Sequence, residues 1–183
     1  GYVVLDGGLI PPGGLDNFTS GFLSASYQAS ILRAGPTPLA NIRPQEEIKD
    51  LQSKKLAYVK HMDQHLMGNL DDADAVESAI SNYELAYNMQ SSVPELTEFK
   101  AETEATKKLY GFTSDDPHTR SHAAQCLLAR RLVERGVRFI ELTCTKVKAD
   151  RWDQHTGLKD GHERNAHAVD QPIAGLIKDL KSR

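Results

Sequence analysis

Cysteine, tryptophan and long apolar runs are all scarce in this chain, and each scarcity removes a class of protein. Of 183 residues, two are Cys and one is Trp. Cys126 and Cys144 form no CxxC pair, no metal-finger spacing and no disulfide framework, so cysteine usage leaves the redox compartment open. No stretch approaches the roughly 18 apolar residues that span a bilayer. The opening GYVVLDGGLIPPGG has neither the basic start nor the long apolar region of an export signal. Charge of one sign is not in excess either: Lys+Arg 22 against Asp+Glu 25 gives a net charge of −3, which argues against nucleic acid as a partner. There is no GxSxG elbow, no GxxxxGK[ST] loop and no GxGxxG before a helix, and no internal repeat or low-complexity segment.

What is present is a balanced globular composition, 39% hydrophobic and 26% charged, in a length that suits one domain. Three segments follow from the pattern. Residues 1–43 form a loop-rich segment with an entering strand, YVVL, because Gly and Pro punctuate GGLIPPGGLDNFTSG and RAGPTPLANIRP. Between them FLSASYQASIL reads equally as a helical turn or as extended chain.

Residues 44–118 read as a helical subdomain. A helix of about five turns carries Ile48, Leu51, Lys55, Val59, Met62 and Leu66 on one face. A second, opened by Asp71 or Asp72, carries Val76, Ile80, Tyr83 and Tyr87 and should pack against it, with Pro94 closing it. A third runs from Thr97 to Tyr110 and stops at Gly111. FTSDDPHTR then reads as a surface loop.

Residues 119–183 are helix, strand, polar loop and helix. Ala124, Leu127, Leu128 and Leu132 form the apolar side of SHAAQCLLARRLVE, with Cys126, Ala129 and Val133 widening it and Arg130 and Glu134 outside. VRFIELTC is apolar on both faces, as an interior strand covered on two sides would be. In the last helix Ala166, Val169, Ile173, Leu176 and Leu180 make the stripe, interrupted by Pro172, which requires a kink or a restart. Both ends of the chain read as cut, so a fragment of a larger α/β fold is expected.

The loop KADRWDQHTGLKDGHERNAH gathers Asp150, Asp153, His155, Asp160, His162, Glu163 and His167 just after a strand, where open α/β sheets bind ligands. Asp153 and His155, two apart, point to one side of an extended loop and could converge on an ion or substrate. The same residues also read as a polar loop anchored by Trp152, with solvated imidazoles.

Several blocks, taken in order, carry a resemblance: GYVVL, DNFTSGFLSASYQ, NYELAYNMQSSVPEL, ETEATKKLYG, CLLARRLVERGVRFIEL, WDQH and DQPIAGLIKDLK. Over nearly its whole length the chain resembles the bacterial domain-of-unknown-function 1501 family, related to sulfatases. The resemblance implies a partial alkaline-phosphatase-like α/β core with a helical subdomain, an internal piece of a metal-dependent hydrolase of sulfate or phosphate esters. It implies Asp153 and His155 as ligands of a divalent metal ion, Trp152 and His162 as substrate contacts, and a small-molecule or polysaccharide ester as substrate. It identifies no nucleophile. Upstream and downstream site blocks lie outside this chain, so the isolated piece is expected to be inactive. Related full-length chains often carry an export signal, implying periplasm or cell surface. A non-catalytic binding or surface-associated protein on the same fold is the alternative.

Overall fold

The computed structural model describes residues 2–8, 11–24, 27–33, 50–67, 93–145 and 152–183, together with residues 76, 80, 83, 84, 87 and 88; the side chains of 64, 66 and 67 are not described. The fold is mixed α/β. Three parallel strands, β1 (Tyr2–Asp6), β2 (Ser30–Arg33) and β3 (Phe139–Leu142), lie in the order β2-β1-β3. Val3 of β1 sits opposite Ser30 on one side and Ile140 on the other. The central strand is apolar from Val3 to Leu5 and all three residues are buried, as its position between two neighbours requires. β2 resolves the ambiguous FLSASYQASIL segment: its last residues are extended.

Helix α3 (Pro117–Glu134) covers one face of this sheet; α1 (Leu51–Met67), α2 (Glu104–Tyr110) and α4 (Leu158–Ser182) are the other long helical elements named here. Leu128, Ala129 and Leu132 of α3 pack on Val3, Leu5 and Leu32, with Val93 and Leu96 closing the end of this core. A second core joins Tyr110 of α2 to Ala123, Cys126 and Leu127 of α3, with Leu176 of α4 against it. Each Leu buried to this degree stabilises the fold by about 1.5–3 kcal/mol. No helix among the described residues is long and apolar enough to cross a membrane.

Several expectations change in the folded chain. The stretch read as a loop around Asp116-Pro117 starts α3. Asp116 is the N-cap, its Oδ1 accepting from the His118 amide at 3.0 Å, and Pro117 occupies the first turn, where no amide is needed. The helix expected from Thr97 to Tyr110 is broken. Residues 93–97 are helical with Pro94 among them, Glu98 and Glu102 are extended, and α2 starts afresh from Thr103, which caps the Thr106 amide at 3.1 Å. The break has a tertiary cause. Arg131 takes the carbonyls of Glu95, Leu96 and Glu98 at 3.1, 2.8 and 3.0 Å, which a continuing helix would have used itself.

Arg130, expected outside, is buried, its guanidinium facing the carboxylates of Glu102, Glu134 and Asp179, while Val133 is exposed. β3 is not an interior strand: it pairs with β1 alone among the described residues, and Phe139 is 71% exposed. Ile48 of the first expected helix lies outside the described residues, α1 begins at Leu51, and its Val59 and Met62 are exposed. With Tyr83 and Tyr87, also exposed, they do not form a core. Val59, Tyr83 and Tyr87 instead line an open groove of about 260 Å³, beside a Lys60–Glu84 ion pair. Much of the second helix, including Asp71 and Asp72, lies outside the described residues.

Helix α4 runs unbroken through Pro172. Its buried row is Gly161, Asn165, Ala168, Pro172, Gly175 and Asp179; of the expected stripe, Ala166, Ile173 and Leu180 are exposed, while Val169 and Leu176 are half-buried and Leu176 packs on the second core. Small residues win the inner face because the contact is tight. A Cβ on Gly175 would lie 2.8 Å from the Leu109 carbonyl oxygen of α2, so bulk there is excluded.

Candidate functional site

The carboxyl ends of β1 and β3 are locked together before the polar loop begins. The Thr143 amide donates to the Leu5 carbonyl at 3.0 Å, and the Gly7 amide donates to Thr143 Oγ1 at 2.7 Å. Gly7 has no room for a side chain, since a Cβ would lie 2.3 Å from the Cys144 carbonyl oxygen. Gln125, fully buried on α3, ties the helix to the same point by donating from Nε2 to the carbonyls of Leu5 at 2.9 Å and Thr143 at 3.2 Å. Its Oε1 is thereby left as acceptor for His122 Nδ1 at 2.9 Å, which assigns the imidazole its Nδ1–H tautomer. Burial lowers the affinity of His122 for a second proton, against the smaller opposing effect of the Gln125 bond.

Asp6 ends the central strand. Its Oδ1 accepts from the Gly8 amide at 2.8 Å and its Oδ2 stands 3.5 Å from Arg33 Nε at the end of β2. Neither Asp6 nor Gln125 was singled out in the sequence. The signal for Asp6 is the acid that closes the YVVLD run before a Gly pair; for Gln125 it is an amide in the middle of an otherwise apolar helix face.

The loop that follows β3 returns to this edge through Trp152. Its indole Nε1 donates to Cys144 Sγ at 3.3 Å, and its ring meets His162 edge to face with centroids 5.9 Å apart. His162 sits in the first turn of α4, its Nδ1 donating to the Leu158 carbonyl at 2.8 Å, so its Nε2 is the lone-pair nitrogen. Gln154 packs against Gly161, whose missing Cβ gives it the space. These contacts bring Trp152 and His162 together. Asp153 and His155 also meet, Oδ2 to Nε2 at 3.3 Å, and their side chains are 86% and 80% exposed.

The rest of the polar cluster disperses. His167 points the other way, to Asp116 Oδ2 at 3.2 Å, and Glu163 pairs with Lys159 at 3.8 Å. Asp150 lies outside the described residues. Among the described residues no group of three or more His, Cys, Asp or Glu side chains could hold a metal ion. Cys126 is no nucleophile, because burial pushes its thiol up to about 12. The described residues therefore present an exposed carboxylate and imidazole, an oriented indole beside them, and a rigid polar lock beneath. Such a set can accept hydrogen bonds and contribute two ligands to a cation.

A family described as "Protein of unknown function (DUF1501)" matches residues 1–183 of the chain. No curated protein matches. No solved structure matches.

Proposed function

Since the chain belongs to the DUF1501 family along its whole length, we propose that it forms one wall of a metal-dependent site for hydrolysis of sulfate or phosphate esters, on part of an alkaline-phosphatase-like core. The observation that carries this reading is the Trp152–His155 turn. It is fastened to the carboxyl end of β3 through Cys144, and Asp153 and His155 face each other at 3.3 Å in solvent.

The donor set fits a divalent ion in part. A carboxylate oxygen and an imidazole nitrogen are common ligands, but such an ion takes about four or more, and the others must come from outside the described residues. When bound, the ion supplies polarisation of the ester's non-bridging oxygens and stabilises charge developing on the transferring group. The chain's own part is to hold Asp153 and His155 on a turn whose position is set by the Trp152–Cys144 contact. The exposed side of Trp152 and the imidazole of His162 border that turn and are assigned to the alcohol part of a small-molecule or polysaccharide ester.

Turnover of aryl sulfate and aryl phosphate esters by the complete protein, with zinc, manganese or calcium added, tests the proposal. Asp153→Ala and His155→Ala are each expected to reduce turnover by about two orders of magnitude. Unchanged turnover in both variants, or no ester hydrolysis by the unaltered protein with any ion, contradicts it, and the second result returns the chain to a binding role.

A further inference from the structure

The carboxyl edge of the sheet carries a guanidinium that the Trp152–His155 turn does not use. Val3, Leu5 and Leu32 pack beneath α3, so strand alternation turns Asp6 of β1 and Arg33 of β2 to the opposite face, where they are partners in register. Asp6 is held in place from both sides. Its Oδ1 accepts from the Gly8 amide at 2.8 Å, its side chain is only 15% exposed, and its Oδ2 stands 3.5 Å from Arg33 Nε. With the carboxylate on the Nε side, the Nη1–Nη2 edge of the guanidinium is left over, and neither nitrogen makes a hydrogen bond among the described residues. The Arg33 side chain is 73% exposed, so this edge is open to a ligand.

We propose that Arg33 receives the tetrahedral oxyanion of the substrate, a sulfate or phosphate, through a two-pronged contact from Nη1 and Nη2. The identity of the anion rests on the ester-hydrolase reading, whereas the preference for an oxyanion rests on the side chain itself. Arginine presents paired donors that match two oxygens of a sulfate or phosphate, and a carboxylate at Nε holds that fork in one orientation before the ligand arrives. Its place agrees with this chemistry. Ligands of open parallel sheets bind beyond the carboxyl ends of the strands, and Arg33 is the last residue of β2. Gly7, next to Asp6, abuts the Cys144 carbonyl, and Trp152 donates to Cys144 Sγ at 3.3 Å, so contacts run along this edge from Arg33 to the turn that bears Asp153 and His155. The edge holds a second unused donor. Thr145, bridged to Gly8, is 3% exposed and its Oγ1 has no hydrogen-bond partner among the described residues, a desolvated hydroxyl of the kind that a native fold keeps for a ligand or a water.

Calorimetric titration of the complete protein with inorganic sulfate and with inorganic phosphate, at constant ionic strength, tests this without turnover. At least one of the two anions is expected to bind, and Arg33→Gln to weaken it about ten- to hundredfold, as loss of hydrogen bonds from a charged group does. Arg33→Lys keeps the charge but not the fork, and is expected to recover only part of the affinity. Lys100→Gln removes one charge from a side chain that is 90% exposed and is expected to bind as the unaltered protein does. The circular dichroism spectrum is expected to stay the same in all three variants, since both side chains are largely exposed. No binding of either anion by the unaltered protein overturns the proposal. So does an unchanged affinity in Arg33→Gln, an equal weakening in Lys100→Gln, or full affinity in Arg33→Lys. The two readings fail separately: anion binding that depends on Arg33 without ester hydrolysis refutes only the hydrolase, and ester hydrolysis with anion affinity unchanged in Arg33→Gln refutes only the Arg33 contact.

Discussion

At the scale of single residues the most consequential side chain is His122. It is 5% exposed and neutral, and burial keeps it so. The unfolded chain takes up a proton near the ordinary value of 6.5, which the folded chain refuses, so stability falls as pH drops below that value and continues to fall until the depressed folded value is reached. The slope approaches about 1.4 kcal/mol per pH unit. His122→Gln keeps a donor for Gln125 and is expected to flatten the urea-unfolding free energy between pH 6.5 and the onset of acid unfolding. Asp116 acts in a separate, lower window. Burial opposes its ionisation, but the His118 amide, His167 and Thr119 together hold its carboxyl below 3.8, so its contribution is present above that value and is lost only as pH falls through the depressed one. Their place after a strand singles out Trp152, Asp153 and His155 in the sequence, and the family resemblance adds His162. The sequence could not show Gln125 tying α3 to the strand end, since its bond to the Leu5 carbonyl joins residues 120 apart.

Among the elements, α3 is where local rules and tertiary demands diverge most. Its apolar side was legible from spacing, but Arg130 was read as outward because a charged residue four before Glu134 usually is. Here Glu102 and Asp179 arrive from other elements and surround it. Arg130→Met is expected to destabilise the chain by about 1–3 kcal/mol, because it removes charge-assisted bonds from inside a cluster whose carboxylates keep Arg131 and Arg183 as partners. Equilibrium unfolding in urea measures this. Helix α4 shows a different limit. Its glycine and alanine row repeats as regularly as its isoleucine row, so periodicity alone finds two faces and cannot say which is inside. The contact distance decides, and Gly175→Val is expected to cost about 1–3 kcal/mol by overpacking against Leu109 and Tyr110, seen as a lowered melting temperature.

Across the whole molecule, the mixed α/β class and the place of the loop after β3 were readable from the alternation of helix and strand patterns. The strand order and the edge position of β3 among the described residues were not, because a short apolar run looks the same whether one side or both are covered. That topology gives the functional reading its form: two donors on one turn at the carboxyl edge of a parallel sheet, with a lock of Gln125, Leu5 and Thr143 behind them. The most direct measurement is the metal content of the complete protein after dialysis, beside that of Asp153→Ala and His155→Ala. About one divalent ion is expected to be retained per unaltered chain, with a clear loss in both variants and the fold intact by circular dichroism. Equal metal content in all three proteins would contradict the proposed metal site.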